Sequence, residues 1–164
     1  MLSYLRVAQG ARFAAVIATA LALSACASQQ AQTGLDGTSQ ASPGSPQDFV
    51  VNVGDRVFFV VDQSDLTPEA RGILDRQATW LQRYPRYTVT IEGHSDERGT
   101  EDYNLSLSGR RAVAARNYLI SKGIQSTRLK TAYFGKSRPV AVCEQESCFT
   151  QNRRAVTVLN NAGS

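Results

Sequence analysis

One stretch, from Gly93 to Ala112, constrains the fold more than any other part of this chain. It reads Gly-His-Ser-Asp-Glu-Arg-Gly-Thr-Glu-Asp-Tyr-Asn-Leu-Ser-Leu-Ser-Gly-Arg-Arg-Ala. Directly before it, apolar and polar residues alternate over residues 87–92, which predicts a half-buried strand. A helix is expected to begin near Ser106 or Ser108, so the polar residues in between form a loop. Loops held between a strand and a helix commonly carry groups that bind ligands.

Two opposite charges in this stretch predict a site for a small zwitterion. Asp96, in the loop, is suited to hold an ammonium group, and Arg111, in the helix, is suited to bind a carboxylate. Steps of four from Arg111 reach Ala115 and Leu119, which puts Arg111 at the margin of the apolar face. An arginine held beside a core needs a partner. Arg111 therefore either binds such a ligand or pairs with Asp96 or Glu92 to brace the loop.

The rest of the chain predicts a small α/β domain. Val- and Phe-rich runs within residues 49–62 read as strands, and a helix is expected from Thr67 to about Tyr84. After the central strand and the second helix, residues 129–134 and 155–159 read as two further strands. The order β-α-β-α-β-β predicts an α/β sandwich in which both helices pack on one face of a small mixed sheet.

Three motifs resemble those of a known family. In chain order they are Gly-His-Ser-Asp-Glu-Arg-Gly-Thr from Gly93, Tyr-Asn-Leu-Ser-Leu-Ser-Gly-Arg-Arg-Ala from Tyr103 and Asn-Arg-Arg-Ala-Val from Asn152. Together they strongly resemble the OmpA-like peptidoglycan-binding domain family, and within it the lipoprotein members. The resemblance covers roughly residues 52–159. It implies the OmpA-like fold and non-covalent binding of peptidoglycan.

The resemblance also implies which residues bind the ligand, the diaminopimelate of the peptidoglycan stem peptide. Asp96 and Arg111 match the loop Asp and the helix Arg that grip it. Asn104 matches the motif Asn and is expected either to hydrogen-bond the ligand or to cap the second helix. The Asn-Arg-Arg motif adds Arg154 and, with less support, Arg153. One of these two is expected to face the ligand carboxylates.

The first strand departs from the family pattern. Where the family often has Phe-Asp-Phe-Asp, this chain has Phe59-Val60-Val61-Asp62. Asp62 fits the second Asp and is expected to contact the ligand. Val60 replaces the first Asp and is not expected to do so. If the missing Asp helps to order the site, affinity or ligand preference will differ.

Proteins of this family also bind a periplasmic partner, the propeller protein TolB. The resemblance places a TolB-like partner on the loop and the start of the second helix, and it implies other Tol components as further partners. The expected contact residues are Glu97, Arg98, Thr100, Glu101 and Tyr103. Since that surface overlaps the ligand site, partner binding and cell-wall binding should compete.

The N-terminus predicts export and lipidation. Two Arg precede an uncharged apolar run over residues 13–23, which is typical of a secretory signal and too short to span a bilayer. The following Leu23-Ser24-Ala25-Cys26 resembles a lipobox, which implies that Cys26 is acylated and becomes the first residue. Ala27 after it favours the outer membrane by the same resemblance. Residues 1–25 would then be a cleaved signal peptide.

Composition separates a tether from the domain. Residues 26–47 follow the signal and, apart from Cys26, are mostly Gln, Ser, Thr, Gly, Ala and Pro, which predicts a flexible linker. Residues 48–164 form the expected domain. Removal of the two signal Arg lowers the formal net charge from +4 to +2. The remaining basic pairs are mixed with acids, which argues against nucleic acid as a partner.

Two cysteines besides Cys26 remain in an oxidising compartment. Cys143 and Cys148 are an even pair, which favours a disulfide. Zinc binding is the alternative, but one distant His supplies no recognisable ligand set. A redox site would more naturally have Cys-x-x-Cys spacing.

Catalysis is the other function class to weigh. His94, Asp96 and Asp102 have residue types that suit an acid–base pair or a metal triad. His94 is the only His, however, and no Ser, Cys or Lys stands in an activated arrangement. We expect His94 to brace the loop by hydrogen bonding, with no enzyme activity, cofactor or metal.

The resemblance implies an outer-membrane lipoprotein whose domain lies in the periplasm of a Gram-negative bacterium. Such a protein would tether the membrane to the cell wall within the Tol-Pal system of envelope integrity and cell division. Two alternatives stay open. One is a lipoprotein enzyme acting on cell-wall peptides, which a cleavage assay would reveal. The other is an interaction domain that binds TolB-like partners without binding the wall.

Overall fold

The computed structural model describes residues 41–160. The predicted signal segment, Cys26 and most of the predicted tether lie outside these residues. The helices are α1 (Pro46–Asp48), α2 (Pro68–Arg83), α3 (Glu101–Ser121) and α4 (Glu146–Asn152), with a π-helical turn at Phe49–Val53 and a 3-10 turn at Ser126–Arg128. The strands are β1 (Arg56–Phe58), β2 (Thr88–Gly93), β3 (Leu129–Tyr133) and β4 (Arg154–Asn160).

The four strands form one mixed sheet in the order β1-β4-β2-β3. Strand β4 is antiparallel to β1 and β2, whereas β3 is parallel to β2. Helices α2 and α3 pack on each other and on the sheet, and the core lies between these two layers. The predicted fold class and the order β-α-β-α-β-β are confirmed. The short α4, between β3 and β4, is an element that the pattern did not predict.

The segment before α2 differs from the prediction of two strand-like runs in residues 49–62. Its first half is the π-helical turn, in which Phe49 is fully buried against Trp80 at a ring distance of 4.9 Å. Only Arg56–Phe58 pairs as a strand. A short apolar run fits a buried helix as well as a strand, and here tertiary packing decides between them.

The structure also describes residues 41–47, which the composition assigned to the tether. Ser45 caps α1 by accepting a hydrogen bond from the Asp48 amide at 3.1 Å. The Gly44 carbonyl accepts one from the Tyr87 hydroxyl at 2.9 Å, and the Asp48 carboxylate accepts one from Trp80 Nε1 at 2.8 Å. This end of the segment therefore lies against the domain.

Helix α2 forms as predicted from its N-terminal signal and apolar spacing. The Thr67 side chain caps it by accepting a hydrogen bond from the Ala70 amide at 3.2 Å, with proline at the first helical position. Leu74, Ala78 and Leu81 are buried on one face. Burial of each leucine side chain stabilises the fold by about 2 kcal/mol.

Helix α3 begins earlier than predicted, at Glu101 rather than near Ser106 or Ser108. Thr100 is the N-cap and its side chain accepts a hydrogen bond from the Tyr103 amide at 3.3 Å. Two acidic residues follow in the first turn, where they interact favourably with the helix dipole. The prediction was wrong because the cap and its acids lie inside a stretch that otherwise reads as polar loop.

A glycine sets the distance between α3 and the sheet. A Cβ added to Gly93, at the end of β2, would lie 1.9 Å from the backbone carbonyl oxygen of Ser108. Only glycine permits this approach. It brings the third turn of α3, which carries Arg111, next to the loop that follows β2.

None of the helices described in residues 41–160 has the length and apolar character needed to cross a bilayer.

Candidate functional site

Four of the six residues predicted to bind the ligand meet at one cavity of about 370 Å³ beside α3. They are Asp62, Asp96, Asn104 and Arg111, and the rim includes Arg98 and Tyr103. A larger cavity, of about 440 Å³, lies beside Trp80. There the carboxylate of Asp48 is already bonded to the indole. The cavity at Arg111 is the better candidate because it combines buried charges of both signs.

Arg111 is a buried cation held by backbone carbonyls rather than by an acid. Its side chain is fully buried and donates to the carbonyl oxygens of Gln63 at 2.9 Å, His94 at 3.0 Å and Val60 at 3.2 Å. Within residues 41–160 it forms no ion pair, so the alternative in which Arg111 pairs with Asp96 or Glu92 is wrong.

The guanidinium of Arg111 stays charged in this position. Burial lowers its pKa to about 10, an effect that the nearby Asp96 partly offsets. A guanidinium has five N–H groups, so the three carbonyl contacts leave two donors unused. The carbonyls fix the orientation of the guanidinium, which lines the cavity. No carboxylate within the described part of the chain forms an ion pair with it.

Asp96 is the buried acid of the same cavity. Its carboxylate accepts hydrogen bonds from Arg98 Nη2 at 2.5 Å, from Arg153 Nη1 at 3.2 Å and from the Arg98 amide at 3.2 Å. Burial alone would raise the pKa of Asp96, but these hydrogen bonds outweigh it and the pKa lies below its usual value. Asp96 is therefore ionised at neutral pH.

The two arginines of the Asn-Arg-Arg motif have different surroundings. Arg153 supports Asp96 and also donates to the Phe59 carbonyl at 3.1 Å and to Glu146 Oε1 at 2.6 Å. Arg154 donates to the carbonyl oxygen of Arg138 at 3.2 Å. Neither is among the residues that line the cavity. Of the two, Arg153 is the one that contacts a cavity residue, Asp96. The sequence had favoured Arg154 as the residue that faces the ligand.

Asn104 holds the loop rather than the helix terminus. Its amide nitrogen donates to the carbonyl oxygens of Arg98 at 2.7 Å and Thr100 at 3.1 Å. It is therefore not the N-cap of α3, which corrects the capping alternative. Because Asn104 also lines the cavity, its role as a ligand contact stays a prediction.

Asp62 lies at the cavity in an unusual backbone conformation. It has φ of 61°, which makes it the one non-glycine residue with positive φ in the described part of the chain. Its carboxylate accepts a hydrogen bond from the hydroxyl of Tyr103, which raises the pKa of that hydroxyl. Left-handed residues outside glycine cost energy and cluster at functional sites.

His94 does not brace the loop through its ring as predicted. The imidazole is 2% exposed and stacks on Phe134 at a ring distance of 5.5 Å. Neither of its nitrogens forms a hydrogen bond with any residue in the range 41–160. Burial, with the charges of Arg154 and Arg138, lowers its pKa to about 4. The bracing runs through its backbone, which donates to Arg154 and accepts from Arg111.

The residues predicted to bind a protein partner surround the cavity on exposed positions. Glu97, Arg98, Thr100, Glu101 and Tyr103 are all solvent exposed. Arg98 and Tyr103 line the cavity as well. A partner bound to this surface would therefore cover the cavity entrance. No group of acids, His and Cys in residues 41–160 is arranged to hold a metal ion.

Two residues at the site were missed by the sequence reasoning. Glu146 accepts from Arg153 and lies 3.6 Å from Arg98, and the guanidinium of Arg98 lies 4.4 Å from the centre of the Phe149 ring. Both belong to α4. The predicted disulfide between Cys143 and Cys148 is confirmed. The signal that could have found Glu146 is an acid inside this disulfide loop, seven residues before Arg153.

Comparison with known proteins gives a consistent result. Residues 58–153 match the OmpA family. The chain is 55% identical over 149 residues to the peptidoglycan-associated lipoprotein of Mesorhizobium japonicum, covering 88% of this chain and 89% of that relative. It is 53% identical over 161 residues to the protein of the same name from Agrobacterium fabrum, covering 93% and 91% respectively.

Solved structures agree with the fold. The crystal structure of the peptidoglycan-associated lipoprotein from Burkholderia pseudomallei matches with a TM-score of 0.66 at 31% identity, covering 71% of this chain and all of that one. The C-terminal domain of Helicobacter pylori MotB matches with a TM-score of 0.62 at 19% identity, covering 65% of this chain and 84% of that one. The second match supports the fold alone.

Proposed function

The chain belongs to the OmpA family, and from that premise we propose that it is an envelope lipoprotein that binds peptidoglycan non-covalently through the diaminopimelate of the stem peptide. Its relatives at 55% and 53% identity carry the name peptidoglycan-associated lipoprotein. Their similarity extends over most of this chain and supports the general role. The residues at the cavity support the choice of ligand.

The observation that carries the proposal is the pair of separated buried charges. Arg111 has a fixed orientation, two unused donors and no ion pair within the described residues, while Asp96 is ionised in the same cavity. A buried charge without a counter-ion is costly, so Arg111 favours an anionic ligand. The free end of diaminopimelate carries an ammonium and a carboxylate on one carbon. These groups complement Asp96 and Arg111, whereas lysine offers the ammonium alone.

The proposal assigns binding and not catalysis. The one imidazole of the chain, His94, is buried with a pKa of about 4 and would not exchange protons near neutral pH. Binding by Arg111 and Asp96 requires no chemical step. Charge-assisted hydrogen bonds to both ends of the zwitterion supply affinity and orientation.

The N-terminal segment supports the tethering part of the proposal. Acylated Cys26 would anchor the chain in the outer membrane, and the tether would carry the domain into the periplasm to reach the wall. Two or more acyl chains give stable anchoring, whereas one binds reversibly. A TolB-like partner, as part of a Tol system in cell division, would compete with the wall because the exposed rim of the cavity belongs to both surfaces.

Calorimetric titration tests this function. The mature chain with Cys26→Ser, which prevents acylation, is titrated with a stem peptide containing diaminopimelate and with the same peptide containing lysine. We expect saturable binding to the first and at least about tenfold weaker binding to the second, because Arg111 then lacks its carboxylate. Equal binding of both peptides by the folded protein would contradict the role of Arg111.

A further inference from the structure

The acid that should receive the ligand ammonium is already occupied by a cation of the protein. Arg98 Nη2 lies 2.5 Å from Asp96 Oδ2, and the Arg98 amide lies 3.2 Å from Oδ1. Arg153 also contacts Asp96. The side chain of Arg98 is 43% exposed, whereas that of Arg153 is 6% exposed. Of the two cations, only Arg98 has room to leave.

Two further partners, Glu146 and Phe149, already lie beside the Arg98 guanidinium in the position that it occupies. Glu146 Oε2 is 3.6 Å from Arg98 Nη1, just outside hydrogen-bond distance, and the ring of Phe149 lies 4.4 Å from the guanidinium carbon. A carboxylate and an aromatic face are both favourable partners for a guanidinium. Glu146 is held in place by Arg153 at 2.6 Å. Arg98 thus lies between two acids.

We propose that Arg98 is a built-in competitor for Asp96, and that Glu146 and Phe149 form the position to which Arg98 moves when a ligand ammonium displaces it. This inference rests on the proposed function. It makes Glu146 and Phe149 positioning residues, because they act on the ligand only through Arg98. The disulfide loop that carries Glu146 thereby takes part in setting the affinity of the site.

The strength of the competing pair decides whether displacement is feasible. Asp96 is buried, but the Arg98 end of the pair is 43% exposed to water, and ion pairs screened by water change an equilibrium by about fivefold at most. Only the fraction of molecules in which Arg98 has left Asp96 can bind the ligand ammonium. The apparent dissociation constant is therefore the intrinsic constant divided by that fraction. Arg98 is therefore expected to reduce affinity by up to about fivefold without preventing binding.

The sign of the effect of Arg98 on affinity is the central test. Arg98→Met keeps an unbranched side chain over Phe149 and removes the positive charge that competes for the Asp96 carboxylate. In titration with the diaminopimelate peptide we expect binding to become about threefold to fivefold tighter. Arg110→Met is the matched control, because Arg110 is exposed on α3 and, among residues 41–160, its side chain bonds only Ser106. It removes the same charge and should leave the affinity unchanged.

The role of Glu146 is tested by combining a Glu146 substitution with the Arg98 substitution. Glu146→Gln keeps an oxygen that can accept from Arg153 but removes the negative charge that attracts Arg98. We expect this substitution to weaken peptide binding by about twofold to threefold in the native chain and to have no effect in the Arg98→Met background. A peptide whose diaminopimelate amine is acetylated has no ammonium to compete for Asp96, and should gain nothing from Arg98→Met.

The outcomes separate this inference from the function on which it rests. Weaker binding by Arg98→Met would show that Arg98 is itself a ligand contact and would overturn the inference. So would an equal loss from Glu146→Gln in both backgrounds, because a purely structural role through Arg153 predicts that result. If Asp96→Asn leaves peptide binding intact, or the native chain binds no stem peptide, the proposed function fails and the inference fails with it.

Discussion

The buried imidazole of His94 makes the stability of the domain depend on pH in a predictable window. Its pKa is about 4 in the folded protein, against 6.5 for an ordinary histidine. Between these values the unfolded chain binds a proton that the folded chain does not. The contribution of the neutral His94 to the free energy of unfolding is therefore fully present above pH 6.5 and is lost as the pH drops towards 4.

The size of this effect follows from the shift. Each pKa unit corresponds to about 1.4 kcal/mol, so lowering the pH from 7.5 to 5 should reduce the free energy of unfolding by about 2 kcal/mol. The carboxylates with lowered pKa values, such as Asp96 and Glu146, lose their contribution at lower pH, around and below their ordinary values of 3.8 and 4.5. The interval from pH 7.5 to 5 thus reports mainly on His94, the only histidine.

Urea denaturation followed by Trp80 fluorescence measures this dependence. Trp80 is the single tryptophan and is buried in the core, so its emission reports unfolding. Identical free energies of unfolding at pH 7.5 and pH 5 would refute the reasoning. His94→Gln is the control, because it removes the titrating group. In that variant the loss over this interval should disappear even if the overall stability is lower.

Three further predictions concern the frame of the site. Replacing Cys143 and Cys148 by serine opens a loop with a sequence separation of 5, and loop entropy predicts a loss of about 2 kcal/mol in urea denaturation. Gly93→Ala puts a Cβ 1.9 Å from an α3 carbonyl, so we expect a loss above about 3 kcal/mol in thermal unfolding. Gly72→Ala is its control, since no atom of residues 41–160 beyond the adjoining turns of its own helix lies within 4 Å of a Cβ added there and the helix should gain up to about 1 kcal/mol. Thr100→Ala removes the cap of α3 and should cost about 1 kcal/mol by urea denaturation.

Each of these predictions has a result that contradicts it. Unchanged stability of the double serine variant would mean that the disulfide does not restrict the unfolded chain. A Gly93→Ala protein as stable as Gly72→Ala would contradict the close approach of α3 to β2. A Thr100→Ala protein that keeps full stability would place the start of α3 elsewhere, whereas Thr100→Ser should behave as the native chain.

Local signals predicted most of the fold. Thr67 and the apolar spacing after it were sufficient for α2, and alternation was sufficient for β2. The segment containing Phe49 was mispredicted because its turn depends on packing against Trp80, a contact between residues distant in sequence. The start of α3 was placed too late, although Thr100 and the acids after it are a local signal.

The sequence predicted the principal residues of the site but not the groups that these residues contact. The spacing along α3 indicated correctly that Arg111 is next to the core. The hydrogen-bond acceptors of Arg111 depend on the path of the chain after β1. They are backbone carbonyls, which any residue type supplies, so residue identity could not predict them. The same limit applies to Glu146, whose link to Arg153 and Arg98 exists only because α4 folds back beside the loop.

The most direct test of the zwitterion site is a cycle that combines a protein change with a ligand change. Asp96→Asn removes the charge that should bind the ammonium, and acetylation of the diaminopimelate amine removes the ammonium itself. Binding of both peptides to both proteins is measured by calorimetry at one salt concentration. If the two groups are in contact, either change alone should cost about 2 kcal/mol or more, and the second should add little once the first is made. Fully additive losses in folded proteins would contradict the account, because they would show that Asp96 does not bind the ammonium.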